Sequence, residues 1–204
     1  MTKIKLCGLR REEDIDIANE IAPDYVGFVF AKKSKRYVTP ENAAVLRSRL
    51  SGGIIPTGVF VNEKPETIAE LAERNIIEAV QLHGNEDNEF IERLRTLTDC
   101  TIIQAFIIKS EADIETANKS AADYILLDSG KGSGEVFDHT LIKGITRPYF
   151  LAGGLTPENA ASAIEMLHPF GADASSSLET DGFKDKEKMA AFARAIRKAD
   201  KNND

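Results

Sequence analysis

The sequence predicts a (β/α)8 TIM barrel that forms one compact domain over residues 1–204. Short apolar runs alternate with amphipathic segments every ~20–30 residues, which is the spacing of a repeating βα unit. The alternation gives eight units, and eight units in so short a chain favour a closed barrel over an open, doubly wound sheet. Polar or small residues follow the apolar runs, as expected where the carboxyl ends of barrel strands meet at one mouth.

The strands are predicted from short apolar runs. The second run is almost continuously apolar, which is typical of a parallel strand buried on both faces. The first and the sixth share one design, an apolar body with a reactive side chain at the carboxyl end. In chain order the predicted strands are Ile4–Cys7, Tyr25–Phe30, Ile55–Val61, Ala79–His83, Thr101–Phe106, Tyr124–Asp128, Tyr149–Gly154 and Ala172–Ser176.

Helices are predicted between the strands from apolar positions at helical spacing and from capping residues. The second helix has Thr39 as its N-cap and Pro40 at its first position. The helical pattern over 137–143 is weak, and the tail at 201–204 is expected to fray. In chain order the predicted helices are Glu12–Ile21, one that begins at Pro40, Pro65–Arg74, Asn88–Leu97, Glu111–Lys119, Phe137–Lys143, one that is capped by Thr156 to Asn159 and ends at Leu167, and Asp185–Lys198.

The composition restricts the classes of partner. A formal net charge of -7 with no basic block argues against nucleic acid and anionic membranes, and an anionic substrate would need a local positive site. No apolar run reaches the ~18 residues of a spanning helix, and the N-terminus lacks an apolar signal region, so we expect no membrane partner and a cytoplasmic location. The cysteines are expected to be free thiols, and the cysteines and histidines show no ligand spacing that would indicate a metal site.

Two side chains at strand ends indicate acid–base chemistry. Cys7 ends the first predicted strand and Asp128 ends the sixth, so in a closed barrel they would lie three strands apart, with room for a sugar between them. A thiol and a carboxyl group so placed can act as base and acid on one substrate. A cation such as Arg36 or Lys5 would favour the thiolate. The plainer alternatives are that Cys7 only packs and that Asp128 only caps the following loop.

Small residues follow the last two strands, where barrels commonly bind phosphate. Gly153 and Gly154 belong to the seventh strand end, and Ser175, Ser176 and Ser177 belong to the eighth. Backbone N–H groups in such loops, with the N-terminus of a short helix, can hold a phosphate. The alternative is that both segments are simply tight turns. The pattern therefore predicts a phosphorylated small molecule as the substrate.

Two further residues are candidates with plain alternatives. His83 lies at the end of the fourth predicted strand, although a lone histidine is commonly a packed or surface residue. Arg36 lies in the basic segment 32–36, which can equally be a solvated face. The residues alone leave both assignments open.

The chain resembles the phosphoribosylanthranilate isomerase family along its whole length. No single motif is decisive, but their order and spacing together are highly specific. The matching motifs are Lys5–Gly8 with Arg11, Glu13 and Asp14; Gly27–Phe30 with Ser34 and Arg36; Gly58–Asn62; Gln81–Gly84 with Glu86; Leu127–Ser129 with Gly132–Gly134 and Phe137; Leu151–Leu155; and Asp173 with Ser175, Ser176, Glu179, Gly182, Lys184 and Asp185.

The resemblance implies an enzyme of tryptophan biosynthesis that needs no cofactor. It would convert N-(5-phosphoribosyl)anthranilate to 1-(2-carboxyphenylamino)-1-deoxyribulose 5-phosphate by an Amadori rearrangement. The implied roles are general acid for Asp128, general base for the Cys7 thiolate, and electrostatic support from Arg36, which would face the anthranilate. His83 and Asp173 are implied as further substrate-binding residues. We expect a monomer, and a homodimer is compatible with the sequence.

The chain departs from the family pattern at a few positions, and other functions compete with the resemblance. Arg10 stands where threonine or serine is usual, Lys35 where proline is common and Ser177 where glycine is usual, and the loop after Asp128 is short. The nearest alternative is the histidine-pathway isomerase type, which uses two aspartates, and Cys7 argues against it. A cysteine hydrolase would need a histidine as general base near Cys7, and no histidine of this sequence stands at a plausible position. A non-catalytic phosphate-binding protein would not need both Cys7 and Asp128.

Overall fold

The computed structural model describes residues 1–129 and 142–203 and contains a closed barrel of eight parallel strands. Each strand pairs with the next one in the chain, and the eighth pairs with the first, so the predicted fold class is confirmed. The strands are β1 Lys3–Cys7, β2 Tyr25–Val29, β3 Ile55–Phe60, β4 Ala79–Leu82, β5 Thr101–Ile107, β6 Tyr124–Asp128, β7 Tyr149–Ala152 and β8 Gly171–Ala174.

Helices connect the strands around the outside of the barrel. The described helices are α1 Glu12–Ile21, α2 Pro40–Arg49, α3 Pro65–Glu73, α4 Asn88–Arg95, α5 Glu111–Asn118, α6 Ala160–Leu167 and α7 Lys186–Asn203. The predicted cap of α2 is confirmed, since Thr39 Oγ1 accepts a hydrogen bond from Asn42 N at 3.2 Å. The glycine-rich loop after Asp128 and most of the predicted helix at 137–143 lie outside the described residues. Among the helices of residues 1–129 and 142–203, none combines the length and the hydropathy of a membrane-spanning segment.

The last helix ends later than predicted. It continues to Asn203 rather than stopping at Lys198. Ala199 is fully buried, and the carboxylate of Asp200 accepts hydrogen bonds from the Thr2 backbone and hydroxyl groups, both at 2.7 Å. These contacts with the start of the chain extend the helix beyond its apolar pattern. Fraying of the tail at 201–204 stays a prediction.

Strands β7 and β8 each end two residues earlier than predicted. Gly153 and Gly154 have φ values of 75° and 76°, which are incompatible with a continuing strand. After β8 the chain forms a short 3-10 turn, Ser176–Leu178. The segments predicted to bind phosphate are therefore loops, and both lie at the carboxyl end of the barrel.

A small hairpin follows β8 and is absent from the sequence prediction. Its strands are β9 Glu179–Thr180 and β10 Phe183–Lys184, which pair antiparallel. The turn residues Asp181 and Gly182 both have positive φ, 52° and 79°, as a type I′ turn requires. Strands of two residues are too short to show an alternating apolar pattern, so periodicity does not reveal them.

Aromatic residues fill the amino-terminal end of the barrel. Phe150 is fully buried and makes edge-to-face contacts with Tyr25 and Tyr124, with ring centroids 5.5 and 5.9 Å apart. Phe170 stacks on Tyr124 at a centroid distance of 4.3 Å. This layer closes one end of the barrel, and the cavity described below lies at the other end.

The substitution Gly171→Ala should destabilise the barrel. An added Cβ would lie 2.5 Å from two ring carbons of Phe150 and 3.1 Å from the carbonyl oxygen of Lys3. Because neighbouring rings hold Phe150 in place, we expect the free energy of unfolding to fall by ~1–3 kcal/mol, measured by urea unfolding. Gly52→Ala is the control, since nothing lies within 4 Å of its added Cβ. Equal unfolding curves for the two variants would contradict this packing argument.

Candidate active site

One cavity at the carboxyl end of the barrel brings the predicted site residues together. Its volume is about 360 Å³. The side chains or loops of all ten candidates line it: Cys7, Arg36, His83, Asp128, Gly153, Gly154, Asp173, Ser175, Ser176 and Ser177. The positions therefore agree with the prediction, and the contacts of each residue indicate what it can do.

Cys7 lies in an apolar part of the cavity wall. It ends β1, is 7% exposed and packs with Val29 and Val59. Gly27 lies beside it on β2, and a Cβ at that position would approach the sulfur to 2.6 Å. The absence of a side chain at Gly27 therefore makes room for the thiol. Ser175 Oγ donates a hydrogen bond to the Cys7 carbonyl at 3.0 Å, which joins the ends of β1 and β8.

A buried ion pair lies two residues before the thiol on the inward face of β1. Lys5 Nζ is 2.9 Å from Asp173 Oδ1, and the two residues are 0% and 8% exposed. They are also register partners in the β1–β8 ladder, so the pair joins the strands that close the barrel. A buried charge without a partner is strongly destabilising, which explains why the two occur together.

The ionisation of Cys7 reflects both its burial and these charges. Burial raises the pKa of the Cys7 thiol above its ordinary value; Lys5 and Lys184 oppose this, and Asp173 adds to it. Burial acts to lower the pKa of Lys5, but Asp173 and Cys7 outweigh it, so the pKa of Lys5 is raised and the ammonium stays charged. Lys5 is thus the cation that the sequence predicts near Cys7, but burial has the larger effect on the pKa of the thiol.

Arg36 is held by a carboxylate in the cavity wall. Its Nε and Nη2 donate to the two carboxylate oxygens of Glu179 at 2.6 and 2.8 Å, and this hydrogen bonding raises the pKa of Arg36. Lys184 Nζ donates to Glu179 at 2.8 Å and to the Ser175 carbonyl at 2.9 Å. Burial lowers the pKa of Lys184 despite that carboxylate. Glu179 binds the edge of the guanidinium formed by Nε and Nη2. Nη1 is therefore the group of Arg36 that can donate a hydrogen bond to a ligand.

Asp128 ends β6, three strands from Cys7 around the barrel, and faces His83. His83 Nε2 lies 3.7 Å from Asp128 Oδ2, which is longer than a hydrogen bond. Gln81 Nε2 lies 3.1 Å from His83 Nδ1. In this orientation of the amide its nitrogen is the donor, so the fitting tautomer has Nδ1 as acceptor and the proton on Nε2. The imidazole therefore presents an N–H group to the carboxyl group of Asp128. The amide oxygen Oε1 of Gln81 is buried and has no hydrogen-bond partner among the described residues.

The loops after β7 and β8 contact each other, and the loop after β7 passes close to Asp128. At Gly153 the φ of 75° favours glycine, and an added Cβ would lie 2.3 Å from Asp128 Oδ1 and 2.5 Å from Ser129 N. Glycine there lets the loop pass directly against the carboxyl group. Ser177, in the loop after β8, donates its hydroxyl hydrogen to the Leu155 carbonyl in the loop after β7.

Three residues of this network have no role in the sequence prediction, namely Gln81, Glu179 and Lys184. Gln81 could have been found, because a polar residue two positions before His83 in a strand shares its face. Glu179 and Lys184 are cross-strand partners in the hairpin. The dipeptide Asp181-Gly182 between them is a strong hairpin signal and would have paired them.

Comparisons with known proteins agree on one family. The family model of N-(5'phosphoribosyl)anthranilate (PRA) isomerase matches residues 4–195. The chain is 42% identical over 214 residues to the N-(5'-phosphoribosyl)anthranilate isomerase of Acetivibrio thermocellus, covering 98% of each chain. It is 36% identical, with a TM-score of 0.85, to a phosphoribosyl anthranilate isomerase in complex with reduced 1-(o-carboxyphenylamino)-1-deoxyribulose 5-phosphate, covering 97% of this chain and 100% of the other. Monomers generated from the dimeric enzyme of Thermotoga maritima match at 35% identity and a TM-score of 0.83, covering 97% and 99%.

Alkylation of Cys7 should show a thiol that ionises at higher pH than an ordinary cysteine. On a Cys100→Ser background, the rate of reaction with iodoacetamide should reach half its maximum at a higher pH than in the same protein unfolded in urea, because burial disfavours the thiolate. Lys5→Met should shift this midpoint further upward, since it removes a cation that opposes burial. Lys184→Met should act in the same direction. Mass spectrometry measures the rates, and a midpoint below that of the unfolded protein would contradict the argument.

Proposed function

This chain belongs to the N-(5'-phosphoribosyl)anthranilate isomerase family, and from that premise we propose that it converts N-(5-phosphoribosyl)anthranilate to 1-(2-carboxyphenylamino)-1-deoxyribulose 5-phosphate. It is an isomerase of tryptophan biosynthesis. The reaction is an Amadori rearrangement, in which an aminoaldose becomes an aminoketose with no atom gained or lost. The proposed steps use side chains of the protein and no cofactor.

The observation that carries the proposal is the layout of the cavity at the carboxyl end of the barrel. A thiol and a carboxyl group approach it from strands three apart, and two small-residue loops border it between them. A sugar phosphate with its phosphate at the loops would extend its C1 and C2 atoms toward Cys7 and Asp128. Acid and base groups on two sides of adjacent carbon atoms are what an aldose–ketose isomerisation requires.

In the first proposed step, Asp128 acts as the general acid. It gives a proton to the ribose ring oxygen, the bond between that oxygen and C1 breaks, and the nitrogen lone pair forms a C1=N iminium. Asp128 is then a carboxylate, and the Nε2–H of His83, 3.7 Å away, stabilises its charge. His83 therefore acts on the acid, and the sugar need not contact it.

In the second proposed step, the Cys7 thiolate acts as the general base. It removes the proton from C2, the C2–H electrons form a C1=C2 bond, and the iminium electrons return to nitrogen. The enolamine becomes the ketone when its C2 hydroxyl loses a proton and C1 gains one. Lys5 favours the thiolate that this step needs, whereas burial limits its amount at neutral pH. Activity should therefore rise with pH as Cys7 ionises.

Two further residues have groups left for the substrate. Asp173 binds Lys5 through Oδ1, so Oδ2 can accept a hydrogen bond from a sugar hydroxyl. Arg36 binds Glu179 through Nε and Nη2, so Nη1 can face the anthranilate carboxylate. These contacts support the substrate-binding roles that the sequence predicts for both residues.

Specific features of the site argue against the alternatives. An isomerase with two aspartates does not account for a thiol at the end of β1. A cysteine hydrolase needs a base beside the thiol, but His83 lies beside Asp128 instead. A binding protein accounts for the small-residue loops and leaves the thiol and carboxyl pair unexplained.

The proposed chemistry requires only one copy of the chain. Each of the proposed groups comes from the same barrel, so a monomer suffices, and a homodimer is compatible with the site. The described cysteines, Cys7 and Cys100, are free, which suits the cytoplasmic location that the sequence predicts.

The purified protein should consume N-(5-phosphoribosyl)anthranilate made enzymatically in the assay, with a loss of its fluorescence. Cys7→Ala should lower kcat by at least ~10²-fold, because it removes the base. The control Cys100→Ala changes a thiol outside the cavity and should keep wild-type turnover. Absence of turnover in the wild-type protein would contradict the proposed function, and normal turnover by Cys7→Ala would contradict the assignment of the base.

Asp128→Asn should abolish ring opening and keep binding, since asparagine has nearly the same shape but no acidic proton. We expect kcat to fall by at least ~10²-fold, while the affinity for the aminoketose phosphate product, measured by calorimetry, stays within about two-fold. Asp99→Asn, an exposed aspartate before β5, is the matched control. Normal turnover by Asp128→Asn would mean that another group supplies the proton.

A further inference from the structure

Ser177 stands at the contact between the two loops that border the phosphate end of the cavity. It is half-buried, and its Oγ donates a hydrogen bond to the Leu155 carbonyl at 2.5 Å. A hydroxyl group has one proton to donate, so in this arrangement Ser177 does not donate to a phosphate. Nor is it a strained replacement for glycine, because the described non-glycine residues with positive φ do not include it.

A second side chain holds the neighbouring carbonyl of the loop after β7. Asn159 Nδ2 donates to the Gly154 carbonyl at 2.9 Å, and Asn159 Oδ1 accepts from Thr156 N at 2.8 Å. Gly154 and Leu155 line the cavity, and Asn159 is not among the described residues that do. The Gly154 carbonyl therefore points away from the cavity. In a trans peptide the N–H group points opposite to the carbonyl, so Leu155 N–H faces the cavity.

Several backbone N–H groups of these two loops have no acceptor. Over residues 1–129 and 142–203, the N–H groups of Gly154, Leu155, Ser176 and Ser177 donate to no other group. All four residues line the cavity. Ser176 is exposed and Gly154 and Ser177 are half-buried, so water can reach these donors in the free protein. A phosphate between the loops would give these groups their acceptors.

We propose that Ser177 is a positioning residue for the substrate phosphate. Its hydroxyl ties the loop after β8 to the loop after β7, so that the N–H groups of both loops face one phosphate at a fixed spacing. The inference rests on the proposed function, which supplies a phosphorylated substrate. A glycine at this position, having no side chain, could not form this tie.

The tie acts on binding rather than on proton transfer. Gly153 and Gly154 give the loop after β7 many accessible backbone conformations, and a phosphate must select the one that directs its N–H groups inward. With Ser177 holding Leu155, that selection is already made in the free protein. Loss of the hydroxyl should therefore weaken phosphate binding and raise KM. It should leave kcat nearly unchanged, because the hydrogen bond that is lost holds Leu155 and not Cys7 or Asp128.

The test compares Ser177→Ala, which removes the hydroxyl, with Ser177→Thr, which keeps it. Inorganic phosphate is the probe, and calorimetry measures its Kd without turnover. Because Ser177→Ala loses one hydrogen bond, we expect its Kd for phosphate and its KM for the substrate to rise roughly 3- to 10-fold. Its kcat should stay within about two-fold of the wild type. Ser177→Thr should restore the Kd and the KM. Ser48→Ala is the control, because Ser48 Oγ also donates to a carbonyl, that of Val45 at 2.7 Å, but in helix α2.

The outcomes separate this inference from the proposed function. An unchanged Kd for phosphate in Ser177→Ala, or equal weakening in Ser177→Thr, would overturn the positioning role. A fall in kcat with unchanged KM would also overturn it, because the tie would then act on the chemical step. If the wild-type protein binds phosphate but does not isomerise the substrate, and Ser177→Ala weakens that binding, the inference holds and the proposed function fails.

Discussion

The buried ion pair between Lys5 and Asp173 is the interaction on which the rest of the site depends. It joins β1 to β8, the two strands that close the barrel, and it holds a charged ammonium near the Cys7 thiol. Neither charge could remain in the barrel alone, because removing one partner of a buried pair typically costs ~3–5 kcal/mol. The same pair therefore closes the fold, and its lysine opposes the larger effect of burial on the pKa of the thiol.

A second set of charges lies nearer the mouth and comes from the hairpin after β8. Glu179 on β9 fixes one edge of the Arg36 guanidinium, which orients the remaining edge toward the cavity. Arg10 donates to the carbonyls of Lys35 and Gly182 at 3.2 and 2.8 Å. It thereby ties the loop that carries Arg36 to the hairpin that carries Glu179. These contacts give Arg10 a structural role at the mouth of the barrel.

The fold and the positions of the candidate residues could be predicted because both follow from local pattern. The βα repeat indicates a closed barrel, and the ends of its strands bring Cys7 and Asp128 to one cavity. Contacts between distant segments could not be predicted in this way. Arg36 and its partner Glu179 are 143 positions apart, and Ser177 meets Leu155 only because two loops converge. The ionisation of Cys7 is also non-local, since the surrounding barrel wall removes water from the thiol and outweighs the cation that the sequence indicates.

Charge and backbone dipoles have separate tasks in this cavity. The buried cations Lys5 and Lys184 act on the thiol, where they favour the thiolate that the proposed base step requires. The phosphate of the proposed substrate would keep its charge throughout, and neutral N–H groups would suffice to hold it. A lysine bound to the phosphate would have its charge neutralised by that anion, and it would then do little to favour the thiolate. Dipoles stabilise an anion only while their direction is fixed, so a site that relies on them needs side chains behind the loops. Asn159 and Ser177 meet that need, because each holds a carbonyl of the loop that presents its N–H groups to the cavity.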